Sequence, residues 1–378
     1  MDTITSEVSS TQYWPLTSEW SRQSPENLGL DPNAVQDAVS FAISHESTML
    51  RDIGRALKEG HFNEPPPINE IIGPVKDRAE PSGVVVRAGR IAAEWGDIER
   101  VDMTFSATKS FLSLCAGIAF DRGLIPDIHA PVRELVDDGG FASEQNRSIT
   151  WAQLLQLTSE WQGELWGKPD SIDHNRDLSL PPGQSNDKGL QRTMQPPGTH
   201  WEYNDVRVNR LALALLRVFK EPLPDVLKRE IMDPIGASDT WQWHGYRNSY
   251  VDINGQQMQS VSGGAHWGGG LWISSLDQAR IGLLMLNKGQ WNGRQIISEE
   301  WIAESVRPCP LNPNYGLMWW LNAVGEQAPA ASRSSFFAKG VGANIIWIDP
   351  ENDMVTVTRW IDKESFPAFA EKVVQSIR

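Results

Sequence analysis

Thr104-Phe105-Ser106-Ala107-Thr108-Lys109-Ser110-Phe111 is the stretch whose reading decides the fold of this chain. It follows the extended run Val101 to Phe105. It opens a segment in which Phe111, Leu112, Cys115, Ile118 and Ala119 recur at helical spacing up to Gly123, a residue type that ends helices. Positions three apart share a helix face, so the Ser106 hydroxyl and the Lys109 amine are expected to point into one space. A neutral lysine there can take the serine proton. The unpaired N–H groups and partial positive charge of a helix start favour the anion formed when a serine attacks a carbonyl. Ser-x-x-Lys alone is a chance-level pattern in a chain of 378 residues. Its plain alternative is a capping serine followed by a surface lysine. A second copy, Ser185-Asn186-Asp187-Lys188, lies in a Gly/Pro-rich stretch where nothing fixes the two side chains together, and it is set aside.

Outward from Ser106, the pattern is strand at both ends and helix between. Gly83 to Gly96 contains two short apolar runs around Ala88-Gly89 and predicts a β-hairpin. Gly269 to Ser274, Asn344 to Asp349 and Met354 to Trp360 read as strands, the last two flanking the turn sequence Asp349-Pro-Glu-Asn-Asp353. Helices are expected at Pro32 to Ser44, Ile149 to Leu157, Val206 to Phe219 and Phe366 to Ile377. A proline-rich passage runs from Glu64 to Pro74, and a long Pro/Gly/Asp/Asn-rich loop from about Gly163 to Gly198. The fold class is α/β, an antiparallel sheet flanked by helices and assembled from distant parts of the chain. Residues 1–80 form a lead-in with a helix, 81–104 and 262–378 the α/β sheet domain, and 105–261 an inserted, mainly helical subdomain.

Composition narrows the function. Hydrophobic residues at 40% and charged residues at 22% describe a folded globular protein. A formal net charge of −14 leaves no basic surface for a nucleic-acid backbone. The start, MDTITSEVSSTQYWPL, has neither a basic n-region nor an apolar core, and no later run approaches the roughly 18 apolar residues of a spanning helix. A cytoplasmic protein without a membrane partner is expected, unless a leader has been removed. Cys115 and Cys309 are too few for a disulfide framework, and the seven histidines form no close metal-binding pair, so neither cofactor nor metal is expected. No G-x-S-x-G elbow anchors a Ser-His-Asp triad. Seventeen tryptophans suit core packing, or an aromatic wall around an apolar acyl or alcohol group. Trp161 and Trp166, from the long loop, are the candidates for such a wall.

Several segments in order resemble one family. TFSATKSF leading to DRGLIPD is similar to the active-site helix of class C β-lactamases, penicillin-binding D-alanyl peptidases and the related esterases and 6-aminohexanoate-dimer hydrolases. Ile149 to Ser159 resembles their T-x-x-x-L-L-x-x-T-S segment, Pro196 to Asp205 (PPGTHWEYND) their tyrosine loop, and Gly268 to Gly282 their strand and following helix. The resemblance covers roughly residues 83 to 378 and implies a β-lactamase/transpeptidase-like fold. It further implies a serine hydrolase acting through an acyl-enzyme on Ser106, with Lys109 and Tyr203 as general base and acid. The backbone N–H groups of Ser106 and Val341 are the implied oxyanion hole.

Two positions depart from the family pattern. The tyrosine motif Tyr-x-Asn ends here in Asp205, whose carboxylate can pair with Lys109, keep it charged and push the base role toward Tyr203. Tyr246-Arg247-Asn248 fits Tyr-x-Asn literally but lacks the PPGT lead-in. The Lys-Thr-Gly or His-x-Gly element falls at Ala338-Lys339-Gly340, where alanine replaces the cation that holds a substrate carboxylate; this argues against a typical β-lactamase. Lys339 is expected on the opposite face of that strand, where its plain reading is a solvated residue. Gly340 would let substrate approach, and His266, among glycines, reads as a structural histidine near the cleft. The alternatives are an acyltransferase using the same serine, and a catalytically silent relative that binds a small-molecule ligand. Substrate, the choice between ester and amide, and oligomeric state stay open.

Overall fold

The structure is a computed structural model that describes residues 13–17, 19–180, 184 and 187–378. Its centre is a six-stranded antiparallel sheet in the order Trp320–Leu321, Phe336–Gly340, Asn344–Asp349, Met354–Arg359, Ser82–Arg87, Arg90–Trp95. Strand residues alternate faces, and both faces are buried, so the sequence reads VVV and IIWI without polar interruption. One row, Ala338, Ile346, Val357 and Val84, faces the helix Ser275–Leu286. The adjacent row, Phe337, Trp347, Thr356 and Val85, lies on the other face, where most of it packs against the helices Pro32–Ser44 and Phe366–Gln375. The expected hairpin is present, turned by Ala88 at φ 47° and Gly89 at φ 73°, the left-handed pair that a two-residue turn requires.

A second sheet, in the order Asp102–Met103, Gly270–Ile273, Gln242–Ile253, Gln256–Val261, positions the site. Its first strand runs directly into the serine segment, and its second follows His266. Thr104 stitches the two together: its N–H and hydroxyl both donate to the Leu271 carbonyl. The hairpin Gln242–Val261 is absent from the sequence-based expectation of a helical region. Its register shifts between Gly245 and Tyr250, which breaks the two-residue alternation by which strands are read.

The expected helices are otherwise found: Pro32–Ser44 with the expected ends, Asp205–Phe219 one residue earlier, and Trp151–Leu155 and Phe366–Gln375 shorter. Trp151–Leu155 is held by a Thr150/Gln153 capping box, and Asp205–Phe219 is capped by the Asn204 side chain. Among the described residues no helix is long and apolar enough to cross a membrane.

Candidate active site

Ser106 does not begin an α-helix, as expected, but sits in a 3-10 turn, Phe105–Ala107, that feeds the helix Thr108–Asp121. Phe105 adopts φ 49°, a left-handed conformation that costs a bulky residue of order 1–3 kcal/mol. Its ring is fully buried and meets Trp360 edge-on, which holds the strained residue in place. The turn lifts Ser106 to the edge of an otherwise buried helix start. From the next turn Lys109 Nζ reaches back to Ser106 Oγ at 2.9 Å.

Lys109 is almost wholly inside the protein, at 1% exposure, with Asp205 Oδ1 2.5 Å from Nζ. Burial alone would lower the Lys109 pKa, but the adjacent carboxylate outweighs it and keeps the amine protonated beyond the usual lysine range. Burial would likewise raise the Asp205 pKa; Lys109, His266 and Arg176 together hold it well below the ordinary value. Lys109 is thus an ammonium that donates to Ser106. Space for the pair is left by Gly264, where a Cβ would fall 2.3 Å from Asp205 Oδ1 and 2.5 Å from Lys109 Nζ. Gly264→Ala is therefore expected to separate the two charges, lowering stability by about 1–3 kcal/mol and serine reactivity with it. Urea unfolding and the rate of serine labelling measure the two losses.

Asp205 is also the meeting point of residues that no motif announced. Its Oδ2 accepts from Arg176 Nη1 at 2.7 Å and lies 2.9 Å from His266 Nδ1. His266 Nε2 contacts Glu64 Oε1, and Glu64 also accepts from Lys188 Nζ at 2.7 Å and from the Trp267 indole at 2.8 Å. Asp173 takes the Asp205 backbone N–H at 2.8 Å and faces both Arg176 and Lys188. Lys188 thus belongs to the site, whereas Ser185 and Asn186 of the same Ser-x-x-Lys copy lie outside the described residues. Ligand atoms of Glu64, Asp173 and His266 fall within 4.8 Å of one another, a spacing a metal ion could use. The ammonium of Lys188 already sits 2.7 Å from Glu64 and 3.5 Å from Asp173, so a basic side chain supplies the positive charge there.

Tyr203 is buried beside this cluster. It meets Lys109 through its ring face, with Nζ 4.6 Å from the centroid, and Arg176 at 5.2 Å. Among the described residues no hydrogen bond joins its hydroxyl to Ser106 or Lys109. Trp320 stacks on Tyr203 at 5.8 Å, and Trp201 and Tyr315 pack edge-on around them. These four rings pack together beside Lys109, and the two expected from the long loop lie apart from them. Trp161 is a core residue whose indole donates to Gly140, and Trp166 packs near Leu213, Leu216 and Ile253. Tyr246 is buried elsewhere, bonded to Ser262 and Asn209.

Ala338 lies on the inner face of its strand and is completely buried. Lys339 points to the other face, as expected, and is half-buried: Nζ donates to Gln327 at 2.7 Å and lies 5.7 Å from the Trp320 ring. Burial pushes its pKa down to about 8. Gly340 comes so close to the serine segment that a Cβ would meet the Thr104 carbonyl at 1.9 Å and Ser106 N at 3.1 Å. Neither Ser106 N–H nor Val341 N–H donates to a backbone partner outside its own element among the described residues.

A protein-family model described as Beta-lactamase matches residues 93–363. A search of curated proteins returns no match. Among solved structures, a penicillin-binding protein homologue from Caulobacter crescentus aligns with TM-score 0.57 and 14% identity over 88% of this chain and 99% of its own. A family VIII carboxylesterase aligns with TM-score 0.54 and 16% identity over 91% and 96% of the two chains. A β-lactamase from Mycobacterium bovis gives TM-score 0.53 and 18% identity over 78% and 94%. At these identities the likeness is one of fold.

Proposed function

Because the chain belongs to the Beta-lactamase family, we propose that it is a serine hydrolase that opens an ester or amide bond of a small molecule through an acyl-enzyme on Ser106. The observation that carries this reading is the buried Lys109 ammonium held between Asp205 and the Ser106 hydroxyl, 2.5 and 2.9 Å away. A cation there has a use when the serine oxygen becomes anionic.

Ser106 Oγ attacks the carbonyl carbon, and the Lys109 ammonium stabilises negative charge on that oxygen. Since Asp205 keeps Lys109 protonated, the serine proton goes to another group: the Tyr203 hydroxyl takes it while handing its own phenolic proton on to the leaving group, so the tyrosine stays neutral. The N–H groups of Ser106 and Val341 receive the carbonyl oxygen as it takes up charge. The relayed proton departs with the alcohol or amine; in the second half water attacks the acyl carbon and gives its proton to Tyr203 as Tyr203 gives one to Ser106 Oγ, which releases the acid. Ala338 offers no cation to a substrate carboxylate, so the reading is an esterase or amidase and not a typical β-lactamase. Trp320 and Trp201 would border the acyl or leaving group.

Intact mass after mixing with a short p-nitrophenyl ester tests the scheme. The wild type is expected to gain the acyl group, and Tyr203→Phe to gain it about 100- to 10,000-fold more slowly while remaining folded. A wild type that neither gains the acyl group nor releases p-nitrophenol would overturn the proposal. A Tyr203→Phe loss below about tenfold would return the base role to Lys109.

A further inference from the structure

His266 is pinned between two carboxylates, Asp205 at Nδ1 and Glu64 at Nε2, and both nitrogens can donate only in the imidazolium form. Burial would lower its pKa, but Glu64 and Asp205 more than offset this and raise it. Phe62 stacks flat on the ring at 4.0 Å, which fixes its plane. Glu64 and Phe62 come from the proline-rich lead-in, before the matched residues 93–363. That passage is fastened to the site by Lys188, which binds the Phe62 carbonyl and Glu64, and by Lys168, which binds the Ile68 and Glu70 carbonyls.

Resting on the acyl-enzyme reading above, we propose that Glu64 and His266 are positioning residues that act through Asp205 and Lys109 on Ser106, and that the proton on His266 sets the alkaline limit of serine reactivity. The charges around the imidazole give the reason. From the helix Asp205–Phe219 it faces Asp205, and through that carboxylate Lys109 of the serine helix. From the long loop come Asp173, Arg176 and Lys188; from the lead-in come Glu64 and His61. Burial, together with His266 and Arg176, pushes the His61 pKa down to about 4, so it adds no charge at neutral pH. With His266 protonated, four cations (Lys109, Arg176, Lys188 and His266) face three carboxylates (Asp205, Asp173 and Glu64). Without that proton the cluster is balanced. The excess positive charge lies one carboxylate away from the lysine that touches Ser106, where it favours the anionic serine and oxyanion. Release of the His266 proton to solvent as pH rises removes that support, and acylation slows.

The test is the rate at which a fluorophosphonate labels the full chain across pH, for wild type, Glu64→Gln, His266→Gln and Ser106→Ala. Wild-type labelling is expected to fall on the alkaline side as His266 deprotonates. Glu64→Gln should move that fall to lower pH and slow labelling about tenfold at neutral pH, because one of the two carboxylates that stabilise imidazolium is gone. His266→Gln should lack the fall. Profiles that superimpose after scaling would mean that both residues only support the fold, and would overturn the proposal. Should His266→Gln fail to fold, proton NMR of the imidazole in wild type and Glu64→Gln decides: a His266 midpoint above 6.5 that drops in the variant supports the proposal, and an unmoved midpoint overturns it. Labelling that survives in Ser106→Ala would instead sink the acyl-enzyme reading, a separate outcome.

Discussion

Ser106→Ala is expected to abolish turnover of a p-nitrophenyl ester and all covalent labelling by a fluorophosphonate, a rate loss of at least about ten-thousand-fold. The size of the effect follows from the absence of a substitute in the same turn. Ser110 is buried and its hydroxyl donates to the Met318 carbonyl, so it faces away from the Lys109 ammonium. Lys109 itself is held protonated by Asp205, so it is a poor nucleophile. The variant should fold as well as the wild type, because Ser106 makes its described side-chain contact only to Lys109, which keeps Asp205. Mass spectrometry and a thermal melt on the same sample separate the two statements. Persistent labelling in the alanine variant would move the nucleophile elsewhere.

Asp205→Asn should produce the largest loss of stability, about 3–5 kcal/mol near neutral pH, because it leaves Lys109, Arg176 and His266 converging on a neutral amide. The pH dependence has a definite sign. His266 is raised above 6.5 by its carboxylates, so the stability it contributes is present below that value and is lost as pH rises through its higher folded pKa. Asp205 is depressed below 3.8, so its own contribution is present above that value and disappears as pH falls through the folded pKa. The difference between wild type and variant should therefore be widest near neutrality, and narrow both in strong acid and above the His266 pKa. Urea unfolding at several pH values measures it. A difference that does not vary with pH would mean that the amide replaces the carboxylate in geometry alone. The substitution also restores the family's Tyr-x-Asn ending, which frees Lys109 to lose its proton at lower pH.

Much of this was readable from short-range pattern. Ser106 and Lys109 are three apart, the Asn204-Asp205 pair opens an amphipathic helix, and the strands Asn344–Asp349 and Met354–Arg359 coincide with apolar runs bounded by turn residues. What escaped reading lies where the period is broken or where partners are far apart in sequence. The hairpin Gln242–Val261 carries a register shift, and Ser106 occupies a 3-10 turn forced by the left-handed Phe105. Glu64 meets His266 across 202 positions, and Arg176 and Lys188 reach the site from a loop without periodicity. Such ion pairs leave no spacing to detect. The available signal was the run of glycines around His266, since Gly264 has no side chain because Asp205 and Lys109 fill its place. Tryptophan alone does not separate a wall from a core: Trp161 sits in a loop rich in polar residues, yet its ring is 3% exposed.

The passage of the chain through Glu64 bears on where this protein can be cut. A fragment trimmed to residues 93–363 would retain Ser106, Lys109 and Tyr203, and every segment by which relatives are recognised. It would lose the strand Ser82–Arg87, the closing helix Phe366–Gln375 and one of the carboxylates that face His266 and Lys188. The recognisable domain is narrower than the one that holds the whole charge cluster. Shuffling, fusion or minimisation of this scaffold has to move the lead-in together with the catalytic block, or redesign Lys188 and His266 as uncharged residues.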